Sequence, residues 1–472
     1  MKYALSLFII LLSSTIYGQI SVNDSQIKDV ADPTDPQDAV TKAYVETLEQ
    51  EIEYLKSIFV QSGQINPDIE WSTLIQSGEH FIRPTLIKDS LGGFTLVGTG
   101  KVSDAHGYDI VVIRLDENGK ELWRNSYGSL GSDFSYGGII QKSDESGYVV
   151  VGSVSEASLN VSTLIGGGGN KDIWIFEINN NGELINEETF GGSGNDEAKK
   201  ILLSNEGFLI LAETFSSDGN INDYNCCESD IWLFEIDNNL NFITGKTFGN
   251  VNYDYAEDII EMSHDNFILG GTVSMAGGDV SSSLGSLDIW IANISWPSGQ
   301  INWDKTLGSP SSDRLGALKK VNDDFFIFSG HQYVGAYNKG FFGKISKLGG
   351  VVSNETIFGN DDGSTSFLDI SIDSDENYYF LGEFSSYGGN IKSQTFGEKD
   401  LILVKTDNNF NEVWQKSFGG SGNEPRDSEF LNMVFDSNGL PVICTGTSSN
   451  DGNVASFSTK YKLWIFSAGN SD

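Results

Sequence analysis

Cysteine, histidine, proline and basic residues are all scarce in this sequence, and each shortage excludes something. Three cysteines allow at most one disulfide, so no disulfide framework holds the fold. Cys226 and Cys227 are adjacent and allow a vicinal disulfide between themselves or two loop thiols, while Cys444 lies in an apolar run and reads as a buried free thiol. His80, His106, His264 and His331 are scattered without metal-ligand spacing, which argues against zinc catalysis. With 29 Lys and Arg against 66 Asp and Glu, the net charge of −37 repels nucleic acid and anionic lipid surfaces alike. A Gly-x-Ser-x-Gly elbow and sialidase-type Asp boxes are missing, and the run Gly166 to Gly169 precedes a strand pattern rather than a helix, so it is no phosphate cradle. No catalytic residue is assigned, and no cofactor is expected apart from calcium.

The N-terminal segment differs from the rest. Lys2 precedes an apolar run from Tyr3 to Leu12 that ends in small and polar residues up to Gly18. This predicts a signal peptide over residues 1–18, because a membrane span needs about 20 apolar residues. The mature chain is then expected outside the cytoplasm: periplasmic, on the cell surface or extracellular. Residues 19–60 read as a stalk. Asp35 suits a helix N-cap and Pro36 the first helical position, and Val45, Leu48, Ile52, Leu55 and Phe59 recur at alternating spacings of 3 and 4. A coiled-coil helix is expected over about 37–59; its narrow apolar stripe needs a partner helix or the chain's own domain. The stretch Asp29 to Val45 resembles the neck segment of tail-fibre and surface-fibre proteins, a resemblance that implies a homotrimer through the stalk. Residues 61–69, with Ser62, Gly63, Asn66 and Pro67, read as a linker.

From residue 70 to 472 the chain repeats itself about every 60 residues. Asp109 to Val112, Asp172 to Ile175, Asp230 to Leu233, Asp288 to Ile291, Gly340 to Gly343, Asp400 to Leu403 and Lys462 to Ile465 are seven copies of one apolar element. Each follows a second apolar strand, such as Tyr148 to Val151 or Phe208 to Leu211, and all but the last precede a third that ends near glycine, such as Ile185 to Gly191. Four short strands per repeat joined by Asn-Gly-type turns predict an all-β, seven-bladed propeller of four-stranded antiparallel blades. The strand Trp71 to Ile75 is a spare outer strand, and the last repeat lacks one, so it is expected to close the ring against 463–466. The repeats resemble those of an uncharacterised family of exported bacterial propellers, and Asp116 to Trp123 resembles the blade motif of quinoprotein propellers.

In a meander the longer D–A and B–C loops share one face, where binding belongs. Five residues after each glycine that ends strand D stand Asp133, Asp196, Asp254, Asp313, Ser364 and Glu424. Asp133, Asp196, Asp254, Asp313 and Glu424 read as turn caps, with calcium capture as the functional alternative. Residues that break the repeat are the candidate ligand contacts: Tyr224, His331, Tyr333, Tyr337, Tyr387, Phe396 and Phe457. Aromatics beside Asn and Asp suit a glycan, whose rings stack while its hydroxyls take polar partners. The expected function is a non-catalytic binding or surface-display module for a glycan or a protein. The alternatives are a hydrolase or lyase using carboxylates of this face, a quinoprotein-like oxidoreductase, and a purely structural fibre tip.

Overall fold

The computed structural model describes residues 69–75, 81–101, 107–166, 169–223, 228–349, 352–425, 431–454 and 462–469. The signal peptide, the stalk helix, the trimer seam and the Cys226–Cys227 pair lie outside them. Seven four-stranded antiparallel sheets follow one another. Blade 3 shows the pattern: inner strand A Asp196–Leu203, then B Gly207–Thr214, C Asp230–Asp237 and outer D Phe242–Phe248. Blade 7 is composite: Leu431–Phe435, Pro441–Thr447 and Lys462–Ala468 are completed by the outer strand Ile69–Ile75, which pairs from Ile69 opposite Ala468 to Ile75 opposite Leu463.

Strands B and C are apolar on both faces because each blade is packed between two others. The core therefore lies between blades. Val149, Val151, Ile173 and Ile175 of blade 2 pack against Ile201, Ile210, Trp232 and Phe234 of blade 3 in one buried cluster. Trp174, Trp232, Trp290 and Trp464 hold one position of strand C and are fully buried. Three of these indoles donate outward to strand D, Trp174 to Glu187 at 2.7 Å, Trp290 to Asp304 at 3.0 Å and Trp464 to Ser72 at 2.9 Å. Blades are also tied by their loops: Asn220 accepts from Gly191 N at 3.0 Å and returns its own N–H to Gly191 O at 2.9 Å, and Asn453 does the same for Gly419.

Strand A carries the device that builds the site. In blades 3, 4 and 5 the A–B register shifts by one residue, between Ala198 and Lys200, Ala256 and Asp258, and Leu315 and Ala317. Each bulge leaves one residue without an opposite partner, Lys199, Glu257 and Gly316, and a bulge re-aims its side chain out of the alternating pattern.

Candidate functional site

The five ring acids are buried, at 0–1% exposure. Each accepts a backbone N–H from four residues earlier, closing the D–A turn: Asp133 from Ser129 at 2.5 Å, Asp196 from Gly192 at 2.9 Å, Asp254 from Asn250 at 2.6 Å, Asp313 from Ser309, and Glu424 from Gly420 at 2.9 Å. Hydroxyls from the neighbouring strand B add to this. Thr214 and Ser216 donate to Asp196, and Thr447 and Ser449 to Glu424 at 2.7 and 2.6 Å. Burial is the first cause that pushes the four aspartates up, Asp133 to about 6 and Asp254 to about 7. In blade 6 the D–A turn is one residue longer, and Thr365 rather than Ser364 begins strand A at the place of the acid. Among the described residues, no three acidic, histidine or cysteine side chains gather as a metal centre would require.

The aromatic candidates among the described residues fall on blades 5 and 6. Tyr224 and Phe457 lie outside the described residues. Tyr333 and Tyr337 flank the tight B–C turn of blade 5 at Gly335, 40% and 36% exposed. Tyr387 and Phe396 stand exposed on the B–C loop of blade 6. His331 pairs with Arg314 across strands A and B of blade 5; burial, with the charge of Arg314, lowers its pKa to about 4, so it is neutral. The stretch from Asp116 to Trp123 is an ordinary C–D turn. Asp116 accepts from Asn118 N and Lys120 N, both at 2.9 Å, and Trp123 donates to Asn180 O at 3.1 Å.

A cavity of about 540 Å³ opens instead where the inner strands of blades 2 to 5 begin, on the side of the longer loops. Its chemistry comes from Glu197 and Lys199 of blade 3, Tyr255 and Glu257 of blade 4, Arg314 of blade 5 and Glu213, which lies directly opposite Glu197 on strand B. Tyr136 of blade 2 adds an aromatic wall, with the Lys199 ammonium 5.0 Å from its ring centre and that of Lys171 at 5.4 Å. Every carboxylate here meets a cation. Glu197 binds Lys171 at 2.6 Å, Glu213 faces Lys199 at 3.3 Å, and Glu257 takes Arg314 at 2.8 Å and the Thr272 hydroxyl at 3.1 Å. Burial works against the Glu197 carboxylate, yet Lys171 and Lys199 hold it below its usual range. Glu213 and Glu257 go the other way: burial raises both, more than Lys199 and Arg314 lower them. Beside the cavity the Tyr253 and Tyr255 rings stack almost parallel at 6.2 Å, and Tyr253 is 40% exposed.

Sequence reasoning passed over this cluster. Its signal was present one residue after the ring acids, where Phe134, Glu197, Tyr255 and Arg314 differ in every blade while the acids repeat. Lys199 and Glu257 were hidden because a bulge cannot be read from alternation.

No family model matches the chain, and no curated protein does either. Similar solved structures are propellers of several kinds. The Neurospora crassa Pan2 WD40 domain is 8% identical over 86% of this chain and 98% of its own, with a TM-score of 0.47. Domains 1-2 of the extracellular part of Drosophila Semaphorin 1b are 7% identical over 86% and 88%, with a TM-score of 0.45. A europium-containing methanol dehydrogenase is 8% identical over 84% and 93%, with a TM-score of 0.38.

Proposed function

We propose that this chain is an exported, non-catalytic binding or surface-display module whose axial pocket holds an uncharged glycan. The observation that carries the reading is the charge balance of that pocket. Glu197, Glu213 and Glu257 are matched by Lys171, Lys199 and Arg314, so the pocket offers no net charge to an ion. Each matched pair is an acceptor beside a donor, the arrangement two neighbouring hydroxyls of a sugar ring use, and the Tyr253–Tyr255 stack offers an apolar face. A protein ligand would instead engage Tyr333, Tyr337, Tyr387 and Phe396 on the loops of blades 5 and 6.

A glycan array on the purified protein, followed by titration of the best hit, tests the reading. Tyr255→Ala and Glu257→Gln should each weaken binding about tenfold or more, a loss of about 1.4 kcal/mol, whereas Tyr387→Ala should leave it unchanged. No glycan bound, or binding indifferent to both pocket variants, ends it. The competing hydrolase or lyase rests on Glu213 and Glu257, two carboxyls raised by burial in one cavity. Product formed from the bound glycan, lost in Glu213→Gln, would replace the binding reading by that one. A structural fibre tip predicts no ligand at all.

The stalk completes the proposal. Residues 1–18 are removed on export, and the seam from Val45 to Phe59 joins three copies. Light scattering should give a trimer that Leu48→Asp with Ile52→Asp converts to monomers; a monomer before substitution refutes the seam.

A further inference from the structure

A second set of acids lies under the loops, one shell outside the axial pocket. At five of the strand D ends two buried carboxyls act on each other, one from the start of strand C of that blade and one from the D–A turn or strand A start that follows. The pairs are Asp109 with Asp133, Asp172 with Asp196, Asp230 with Asp254, Asp288 with Asp313, and Asp400 with Glu424; none is more than 6% exposed. At Gly191 a side-chain carbon would sit 2.5 Å from Asp196 Oδ2 and 3.0 Å from Asp172 Oδ1, so the two carboxyls close on the same point. At Gly419 the same point lies against Asp400 Oδ1 and 2.8 Å from Glu424 Oε2.

We propose that these inter-blade carboxyl pairs are proton-binding sites, each pair sharing one proton, so that the ring of blades closes most firmly when the pairs are protonated. Two buried carboxylates that face one point repel each other, and one proton taken up between them removes that repulsion. An independent observation comes from two of the pairs. Asp288 Oδ1 and Asp400 Oδ1 are buried with no hydrogen-bond partner, while the other oxygen of each accepts two backbone N–H groups, from Leu284 and Gly285 and from Phe396 and Gly397. Among the described residues, the charged groups that bear on three of the pairs from the facing loops are Glu156 on Asp133, Asp218 on Asp196 and Asp279 on Asp254, all acidic. Burial first, then the partner's charge, lifts Asp172 to about 7 and Asp400 to about 6. Between blades 5 and 6 the pair is replaced: Lys339 begins the C-strand side and Thr365 the A-strand side, and there is no second acid to share a proton with.

The sign follows from linkage. An unfolded aspartate titrates near about 4, so between there and about 7 the folded chain holds more protons than the unfolded one, and stability falls as pH rises through that window. Global repulsion at −37 acts in the same direction, so a single-pair variant is needed. Unfolding the full chain at about pH 6 in weak buffer should release protons, and Asp172→Asn, which keeps the shape and donates an N–H in place of the O–H, should release roughly one fewer. Asp172→Asn should also melt no lower than the parent at alkaline pH. Equal proton release from both proteins overturns the proposal. So does a rise in melting temperature with millimolar calcium at alkaline pH that Asp172→Asn loses, because a cation then fills the pair. If the variant fails to fold, the infrared carbonyl band of protonated carboxylic acid in the parent decides; its absence at about pH 6 is equally fatal.

Discussion

Asp196 and Glu197 are adjacent in blade 3 and belong to different regions: the first to the junction layer between blades, the second to the axial pocket. The junction layer repeats. Asp133, Asp196, Asp254, Asp313 and Glu424 each close the turn behind them, and each is buried with its acceptors engaged. The pocket does not repeat, since the position after the acid is Phe134, Glu197, Tyr255 or Arg314 according to the blade. A residue that recurs in the same place from blade to blade serves the contact between blades. A residue present once serves something the ring makes only once, and in a propeller that is the surface around the axis. On the function proposed above, the contrast gives stability to one side chain and recognition to its neighbour.

The largest effect expected from breaking that contrast is on stability at Asp196. Asp196→Ala strands the Gly192 N–H and the Thr214 and Ser216 hydroxyls in a buried turn, and should cost about 3 kcal/mol or more in chemical denaturation. Glu197→Ala removes a partly exposed pair with Lys171, and should cost about 1 kcal/mol or less while weakening glycan binding. Equal destabilisation by the two substitutions, or unchanged binding in Glu197→Ala, would erase the distinction between the layers.

How far the sequence could be read follows from the same division. Strand C was legible because burial on both faces demands an uninterrupted apolar run, as in Asp230–Asp237, and the blade count followed from its copies. The turn acids were legible because they recur at a fixed distance from glycine. Ser364 shows where that counting slips: one extra residue in the D–A turn of blade 6 moves Thr365 into the position. The pocket was not legible. Glu213 is brought opposite Glu197 only by strand pairing, and Lys199 and Glu257 are turned toward the axis by bulges that leave no mark in an apolar–polar pattern. Tyr387 and Phe396, chosen because they break the repeat, stand on the loops of blade 6, away from the cavity.

The junction between blades 5 and 6 offers the smallest and most pointed test. Lys339 is buried there with its Nζ making no hydrogen bond, and its counter-charge is Asp361 at 3.4 Å, a fully exposed side chain. Both Lys339 and Thr365 lie 3.2 Å from where a side chain on Gly359 would begin, the point at which the acid pairs meet in other blades. Thr365→Asp therefore sets a carboxylate against a buried ammonium rather than against another acid. Desolvation and attraction nearly cancel in such a pair, so the change in stability at neutral pH should stay within about 1 kcal/mol. Its pH dependence should run opposite to that of the other junctions. A carboxylate beside Lys339 titrates below its unfolded value, so whatever stability it adds is present above about pH 4 and is lost as pH falls further. Melting curves of Thr365→Asp and the parent across the acid range should diverge at the acidic end, with the variant the weaker. A variant that gains on acidification instead would mean that the new acid takes up a proton as the paired ones do, and that Lys339 does not set the charge of this junction.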